Sequence, residues 1–277
     1  MVNELKKAQA RKYAVPLFLT FEMMGFEGTL AALEESHAPG IIGIFNIMMD
    51  KPNIRAFVQY IRARAENSPV PISIIIDHGA SYEQCMQILD YGSTDVMFDG
   101  GKLPLAENIA VTRSVVRDAH ATGAGVEAEL GFVGHGKDYA DLDQVRRGFT
   151  KPEDAARFVE ETGADALAIA FGSAHGQYQG QPELALDLLA DIRARVDVPL
   201  VLHGGSGLSD AQFRAAIEGG ISKINIFTDL GLTAARQMVS AAQAEEASYF
   251  SIGAAAKTAF CERCKYYLDL FGASGKA

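Results

Sequence analysis

The sequence predicts an α/β protein: a single-domain (β/α)8 TIM barrel over residues 1–277, with extra helices after the last strand. Three observations carry this expectation. Eight short, mostly apolar runs rich in Ile and Val recur along the chain, as strands buried on both faces should. Helical patterns separate them, and strand–helix alternation calls for a parallel sheet with helices outside. The length of 277 residues suits one such barrel, typically about 250 residues. A doubly wound open sheet is the alternative, but no GxGxxG follows the first run, so a dinucleotide-binding version has no support.

In order, the expected strands are YAVPLFL (13–19), IIGIFN (41–46), PISIIID (71–77), DVMFD (95–99), GVEAEL (125–130), ALAIAF (166–171), PLVLHG (199–204) and KINIFT (223–228). Between them, Ile54, Phe57, Val58 and Ile61 make a helical stripe. The segment 106–123 ends on Gly123, which reads as a helix C-cap. In 150–163, Thr150 reads as an N-cap, Pro152 as a first-turn residue and Gly163 as the stop. The segment 209–220 starts at a Ser or Asp cap and stops on Gly219 and Gly220. Residues 131–148, polar and glycine-containing, read as a mobile loop between strand five and its helix.

Composition narrows the function classes. Hydrophobic residues make up 48% of the chain, enough for a sizeable core, and the net charge is −10. An acidic chain without a block of Lys and Arg argues against nucleic acid. No apolar run approaches the roughly 20 residues that span a bilayer. The opening MVNELKKAQARKYAV lacks the apolar core of a signal peptide. With three sparse cysteines, this predicts a reduced, cytoplasmic setting. Cys261 and Cys264 form a lone CxxC, half of a structural zinc site, and read as two residues on one face of a C-terminal helix.

Catalytic residues of such barrels sit at the C-terminal ends of the strands. Asp77 and His78 end strand three, and Glu129 lies near the end of strand five. His175 follows strand six, His203 ends strand seven, and Asn225 and Thr228 lie at the end of strand eight. His37 and His120 lie in or beside helices, and His135 in the long loop. Three imidazoles around one point form a metal site with an open position for water or substrate. Nitrogen ligands suit zinc, and also iron, cobalt or nickel. Asp77 beside such a cation is a candidate proton shuttle, a helix cap, or a partner to a histidine. GGSG after strand seven (204–207) and NIFT at strand eight (225–228) occupy the pair of strand ends where phosphate sites form in these barrels. Small residues let backbone N–H groups approach an anion, and Ser206 and Thr228 add hydroxyls.

Taken together, IIIDHG (74–79), DVMFDG (95–100), LPLAENI (103–109), GVEAELG (125–131), FGSAHGQY (171–178), LHGGSGL (202–208) and INIFTDL (224–230) resemble the class II, metal-dependent ketose-bisphosphate aldolases. The closing LFGASGKA is similar to the family's usual end. The resemblance implies that His78, His175 and His203 are zinc ligands and Glu129 an alternative metal contact. It implies that Asp77 is the catalytic proton donor and acceptor. It matches Gly176, Gly204, Gly205, Ser206, Asn225, Ile226, Phe227 and Thr228 to the segments that bind the dihydroxyacetone phosphate half. The implied reaction is reversible cleavage of a phosphorylated ketose into dihydroxyacetone phosphate and an aldehyde, with zinc stabilising the enediolate. The family often binds sodium or potassium beside the phosphate, and it implies a homodimer or homotetramer. Two other readings stay open: a metal-dependent epimerase or lyase on a related sugar phosphate, and a non-catalytic sugar-phosphate-binding barrel.

The sequence also departs from the family. Gln179 stands where HGxYK would place a lysine. Phe227 stands where the fructose type commonly has aspartate. The acid-rich loop after AELG is replaced by FVGHGKDYAD, in which Asp138 or Asp141 is a candidate for the family's catalytic glutamate. LFLTFEMMG (17–25), FNIMMD (45–50) and DGGKLP (99–104) are altered as well. A kept metal–acid centre with an altered rim favours an unusual substrate.

Overall fold

The computed structural model describes residues 1–137 and 142–277, without the side chains of 142–144. Its eight strands are β1 (Val15–Leu19), β2 (Gly40–Phe45), β3 (Ile72–Asp77), β4 (Asp95–Phe98), β5 (Gly125–Leu130), β6 (Ala166–Ile169), β7 (Leu200–Leu202) and β8 (Ile221–Ile226). Each pairs in parallel with the next, and β8 pairs back onto β1, closing the barrel. All eight expected strands are present, shifted by a few residues at their ends. Nearly every strand residue is buried, since one face looks into the barrel and the other onto helices.

The helices are α1 (Val2–Arg11), α2 (Met23–Glu35), α3 (Ile54–Glu66), α4 (Tyr82–Tyr91), α5 (Leu105–Ala121), α6 (Leu142–Arg147), α7 (Pro152–Thr162), α8 (Leu186–Arg193), α9 (Asp210–Glu218), α10 (Thr228–Ala242) and α11 (Tyr249–Leu270). Helix α1 precedes the first strand and packs on β1 and β8 through buried Leu5 and Ala8. In α3, Ile54, Val58 and Ile61 are buried, as the stripe predicts. Ser209 caps α9 through a capping box with Gln212, which stands at the third helical position.

The structure differs from these local readings at two places. Lys151, not Thr150, is the N-cap of α7. The Thr150 hydroxyl instead donates to the Leu130 carbonyl and accepts from Ala170 N at 2.9 Å, tying the ends of β5 and β6 together. Gly123 ends α5 as expected: it follows the C-cap Thr122 in the left-handed region at φ +84°. The described residues of the segment read as a loop include regular structure. They contain α6, and His175 N donates to the Gly134 carbonyl while Gly136 N donates to the His175 carbonyl, both at 2.8 Å.

Beyond β8, α11 lies along α2 and α10. Its contact with α2 depends on Gly28: a Cβ there would lie 2.3 Å from the Lys257 carbonyl oxygen. Cys264 is buried in this contact, 3.7 Å from the Thr29 hydroxyl, and both CxxC thiols are free. Among the described residues, no helix is long and apolar enough to cross a membrane.

Candidate active site

Strand β3 ends on Asp77, and the next residue, His78, adopts φ +57°. A non-glycine residue in this region costs about 1–3 kcal/mol and persists only where its surroundings hold it. Here the His78 amide points to Met97 Sδ at 3.4 Å, and its carbonyl accepts from Asn46 Nδ2 at 2.6 Å. The ring is fixed from its other side by Asp99, whose Oδ2 lies 2.9 Å from His78 Nδ1. Asp99 in turn accepts from Gly101 N at 3.0 Å. Burial would raise the Asp99 carboxyl, but the bond to His78 and the charge of that ring hold it at about 2. With Nδ1 engaged, His78 turns Nε2 toward the barrel mouth.

His203 follows β7 and is fully buried. Its Nε2 lies 2.9 Å from Glu127 Oε1, an arrangement that places the ring proton on Nε2 and leaves Nδ1 free. Glu127, on β5, is itself fully buried against Lys223 of β8, with Nζ 2.8 Å from Oε2 and 3.1 Å from Oε1. Lys223 also donates to Asn225 Oδ1 at 2.7 Å, and Asn225 Nδ2 donates to Asp77 Oδ1 at 2.8 Å. One buried chain of contacts thus runs from Asp77 through Asn225, Lys223 and Glu127 to His203. Because side chains two apart on a strand share a face, Lys223 and Asn225 enter the interior together, as do Glu127 and Glu129.

The three histidines meet. His78 Nε2 lies 3.1 Å from both His175 Nε2 and His203 Nδ1. Glu129 Oε2 is buried, accepts no hydrogen bond, and lies 3.6 Å from His78 Nδ1 and 3.8 Å from His203 Nδ1. Burial pushes Glu129 up to about 8; His78 pulls it down while Asp99, Glu127 and Asp77 add to the rise. Burial opposes charge on His78, yet the carboxylates of Asp77, Asp99 and Glu129 drive it up to about 10. His175 moves the other way, down, through burial and the neighbouring rings. The centre therefore favours a positive charge where the imidazoles converge. Three nitrogen donors, an unpartnered carboxylate oxygen and surplus negative charge fit a divalent cation of the zinc class. His78, Asp99 and Glu129 form a second convergent group on the Nδ1 side, but Asp99 already occupies that nitrogen.

The centre floors a cavity of about 580 Å³. Gly176, Gly204, Gly205, Ser206, Asn225 and Thr228 line it after β6, β7 and β8, and Phe227 lines it beside Phe21, 4.6 Å away between ring centroids. Gly204 has φ +68°, and a Cβ there would lie 2.3 Å from the Ala174 carbonyl oxygen, so only glycine fits. Tyr178 joins the two turns, accepting from Ala174 N at 2.8 Å and donating to the Gly204 carbonyl at 2.9 Å. Thr228 opens the long helix α10, and in its first turn Asp229 N donates to Ser206 Oγ at 3.3 Å. Ile226 differs from its neighbours in the run: it is fully buried, and its side chain packs under Gly205 rather than lining the cavity. Asp138 and Asp141 lie outside the described residues.

Asp99, Glu127 and Lys223 are absent from the expected site. Asp99 directly follows β4 and satisfies the same strand-end rule that selects Asp77. Glu127 and Lys223 carry a different signal: a charged residue inside an apolar, doubly buried strand requires a partner.

Comparison with known proteins agrees with this architecture. The chain is 39% identical over 234 residues to a fructose-bisphosphate aldolase of Geobacillus stearothermophilus, covering 83% of this chain and 80% of that one. It is 40% identical over 240 residues to a 6-phospho-5-dehydro-2-deoxy-D-gluconate aldolase of Halalkalibacterium halodurans, with 83% and 80% covered. The crystal structure of the YdjI aldolase from Escherichia coli K12 matches with a TM-score of 0.90 and 33% identity, over 100% of this chain and 98% of that one. The class-II fructose-bisphosphate aldolase model matches residues 1–276, and with these relatives it establishes that the chain belongs to that family of carbon–carbon lyases.

Proposed function

We propose that this chain is a metal-dependent aldolase that reversibly cleaves a phosphorylated ketose into dihydroxyacetone phosphate and an aldehyde. The observation that carries the reading is the meeting of His78, His175 and His203 beside Asp77, at the floor of a cavity with a glycine-lined side. His78 and His175 through Nε2, and His203 through Nδ1, would hold the cation, with Glu129 in reach of it. When bound, a zinc-class cation supplies a Lewis acid that polarises the substrate ketone.

The protein groups do the rest. The turns after β6, β7 and β8 hold the phosphate through backbone N–H groups and the hydroxyls of Ser206 and Thr228. This fixes the C3–C4 bond over the centre and turns the reaction into an oriented, intramolecular event. Asp77 takes the proton of the C4 hydroxyl. The C4–O bond becomes a carbonyl, the C3–C4 bond breaks, and its electron pair stays with the ketone fragment. A proton from solvent completes dihydroxyacetone phosphate at C3, and Asp77 releases the proton it took to solvent. In synthesis Asp77 returns its proton to the new hydroxyl. Asn225 keeps Asp77 in place through Oδ1, leaving the other oxygen for the substrate.

Asp77→Ala tests the reading. Cleavage is expected to fall by about 10²–10⁴-fold, the usual contribution of a positioned acid–base group. Metal content, measured by elemental analysis, should stay at the parent level. Parent activity in that variant would overturn the assignment.

A further inference from the structure

The cavity walls differ in chemistry. After β6, β7 and β8, Gly176, Gly204, Gly205, Ser206 and Thr228 line the cavity with small side chains and two hydroxyls, Gly205 N itself donating to the Asn225 carbonyl at 3.3 Å. After β1 and β2, the lining is Leu19, Phe21, Phe45 and Ile47, with Asn46 as the polar exception, and Phe227 joins it from β8. The aromatic rings form one surface: Phe21 lies 4.6 Å from Phe227 and 6.3 Å from Phe45 between centroids. Phe45 continues to the His78 ring at 6.4 Å, so the surface reaches the reacting centre itself. The Asn46 amide is directed to the His78 carbonyl.

Charge is distributed just as unevenly. Among the described lining residues, Lys102 is the one lysine or arginine. It sits on the loop after β4, which lies across the barrel from β1 and β8, and its Nζ rests 5.6 Å from the Phe132 ring centroid. Among the described residues, the aromatic surface therefore faces the cavity with no cation of its own. A phosphate dianion pressed against it would lose its water and gain no charge-assisted donor. A hydrocarbon segment would gain burial and ring contact.

We propose, on the aldolase reading above, that the substrate is a ketose with a single phosphate. That phosphate lies in the glycine-lined side, and the other end is uncharged and apolar, seated on Phe21, Phe45 and Phe227. The aldehyde fragment is accordingly unphosphorylated, with a deoxy or alkyl terminus.

The metal-loaded, full-length enzyme is tested in the direction of synthesis. First, exchange of the C3 proton of dihydroxyacetone phosphate with D₂O is followed by NMR without any aldehyde. Exchange reports the half-reaction alone; its absence overturns the aldolase reading and this proposal with it. Second, kcat/KM is measured for butanal, lactaldehyde and glyceraldehyde 3-phosphate. The uncharged aldehydes should exceed the phosphorylated one by at least about tenfold, the scale on which one apolar group in a pocket discriminates. Third, Phe21→Ser should raise KM for butanal more than it lowers kcat, and Phe21→Lys should raise kcat/KM for glyceraldehyde 3-phosphate. Exchange accompanied by a preference for glyceraldehyde 3-phosphate would overturn the proposal while leaving the aldolase reading intact. Loss of that preference in Lys102→Gln would show that Lys102 reads a second anion.

Discussion

Replacing Lys223 by methionine keeps the side-chain length inside the barrel and removes its fixed cation. Both Lys223 and Glu127 have side chains at 0% exposure, so water cannot compensate for either charge. Losing one member of a buried, hydrogen-bonded pair costs about 3–5 kcal/mol. Asn225 Oδ1 loses its donor too, an unsatisfied buried acceptor worth about 1–3 kcal/mol. Glu127 retains the bond from His203 Nε2. The loss should depend on pH. Burial raises the Glu127 carboxyl, but Lys223 and His203 hold it at about 2, below the ordinary glutamate value of 4.5. Its stabilisation is therefore present above 4.5 and lost only as pH falls toward 2. Without Lys223, burial dominates and the carboxyl moves up, so the variant loses stability as pH rises. The gap between parent and variant should widen from mildly acidic to mildly alkaline pH. Urea unfolding of the metal-free proteins, followed by circular dichroism, measures it. Because total stabilities are only about 5–15 kcal/mol, the single variant is compared with Lys223→Met/Glu127→Gln, which removes both charges and should recover most of the loss. A gap under about 1 kcal/mol, of the size expected for an exposed pair, would refute the reasoning. So would a double variant less stable than the single one.

Three further outcomes are expected. Asp99→Ala frees His78 Nδ1 and should weaken metal binding by about 10–100-fold in a chelator competition. Gly204→Ala forces a Cβ against the Ala174 carbonyl at a left-handed position, and should raise KM for dihydroxyacetone phosphate severalfold while metal content is kept. Gly28→Leu overfills the α2–α11 contact and should destabilise the protein by about 1–3 kcal/mol in thermal unfolding, with Cys264 becoming reactive to thiol reagents.

Much of the fold and part of the site were legible without coordinates. Continuous apolar runs alternating with helical stripes are a local pattern, and all eight runs become strands. Asp77, His78, Glu129 and His203 were recognisable because barrel geometry sends strand ends to one rim. Thr150 shows the limit of a local rule. Its sequence neighbourhood is that of an N-cap, but two backbone groups of β5 and β6 compete for its hydroxyl. Ile226 shows another limit: it lies within the run matched to phosphate binding, yet pleat alternation turns its side chain into the core.

The sequence by itself determined that the chain alternates strand and helix, and which histidines and acids stand at strand ends. Both follow from periodicities of a few residues. The tertiary structure decided which nitrogen of each histidine faces the centre, because that depends on Asp99 and Glu127. It decided that Lys223 answers Glu127, because only closure brings β5 and β8 to face each other across the interior. It also decided that Phe21, Phe45 and Phe227 form one wall, because β8 pairs with β1. These are long-range coincidences in space, and no pattern along the chain encodes them.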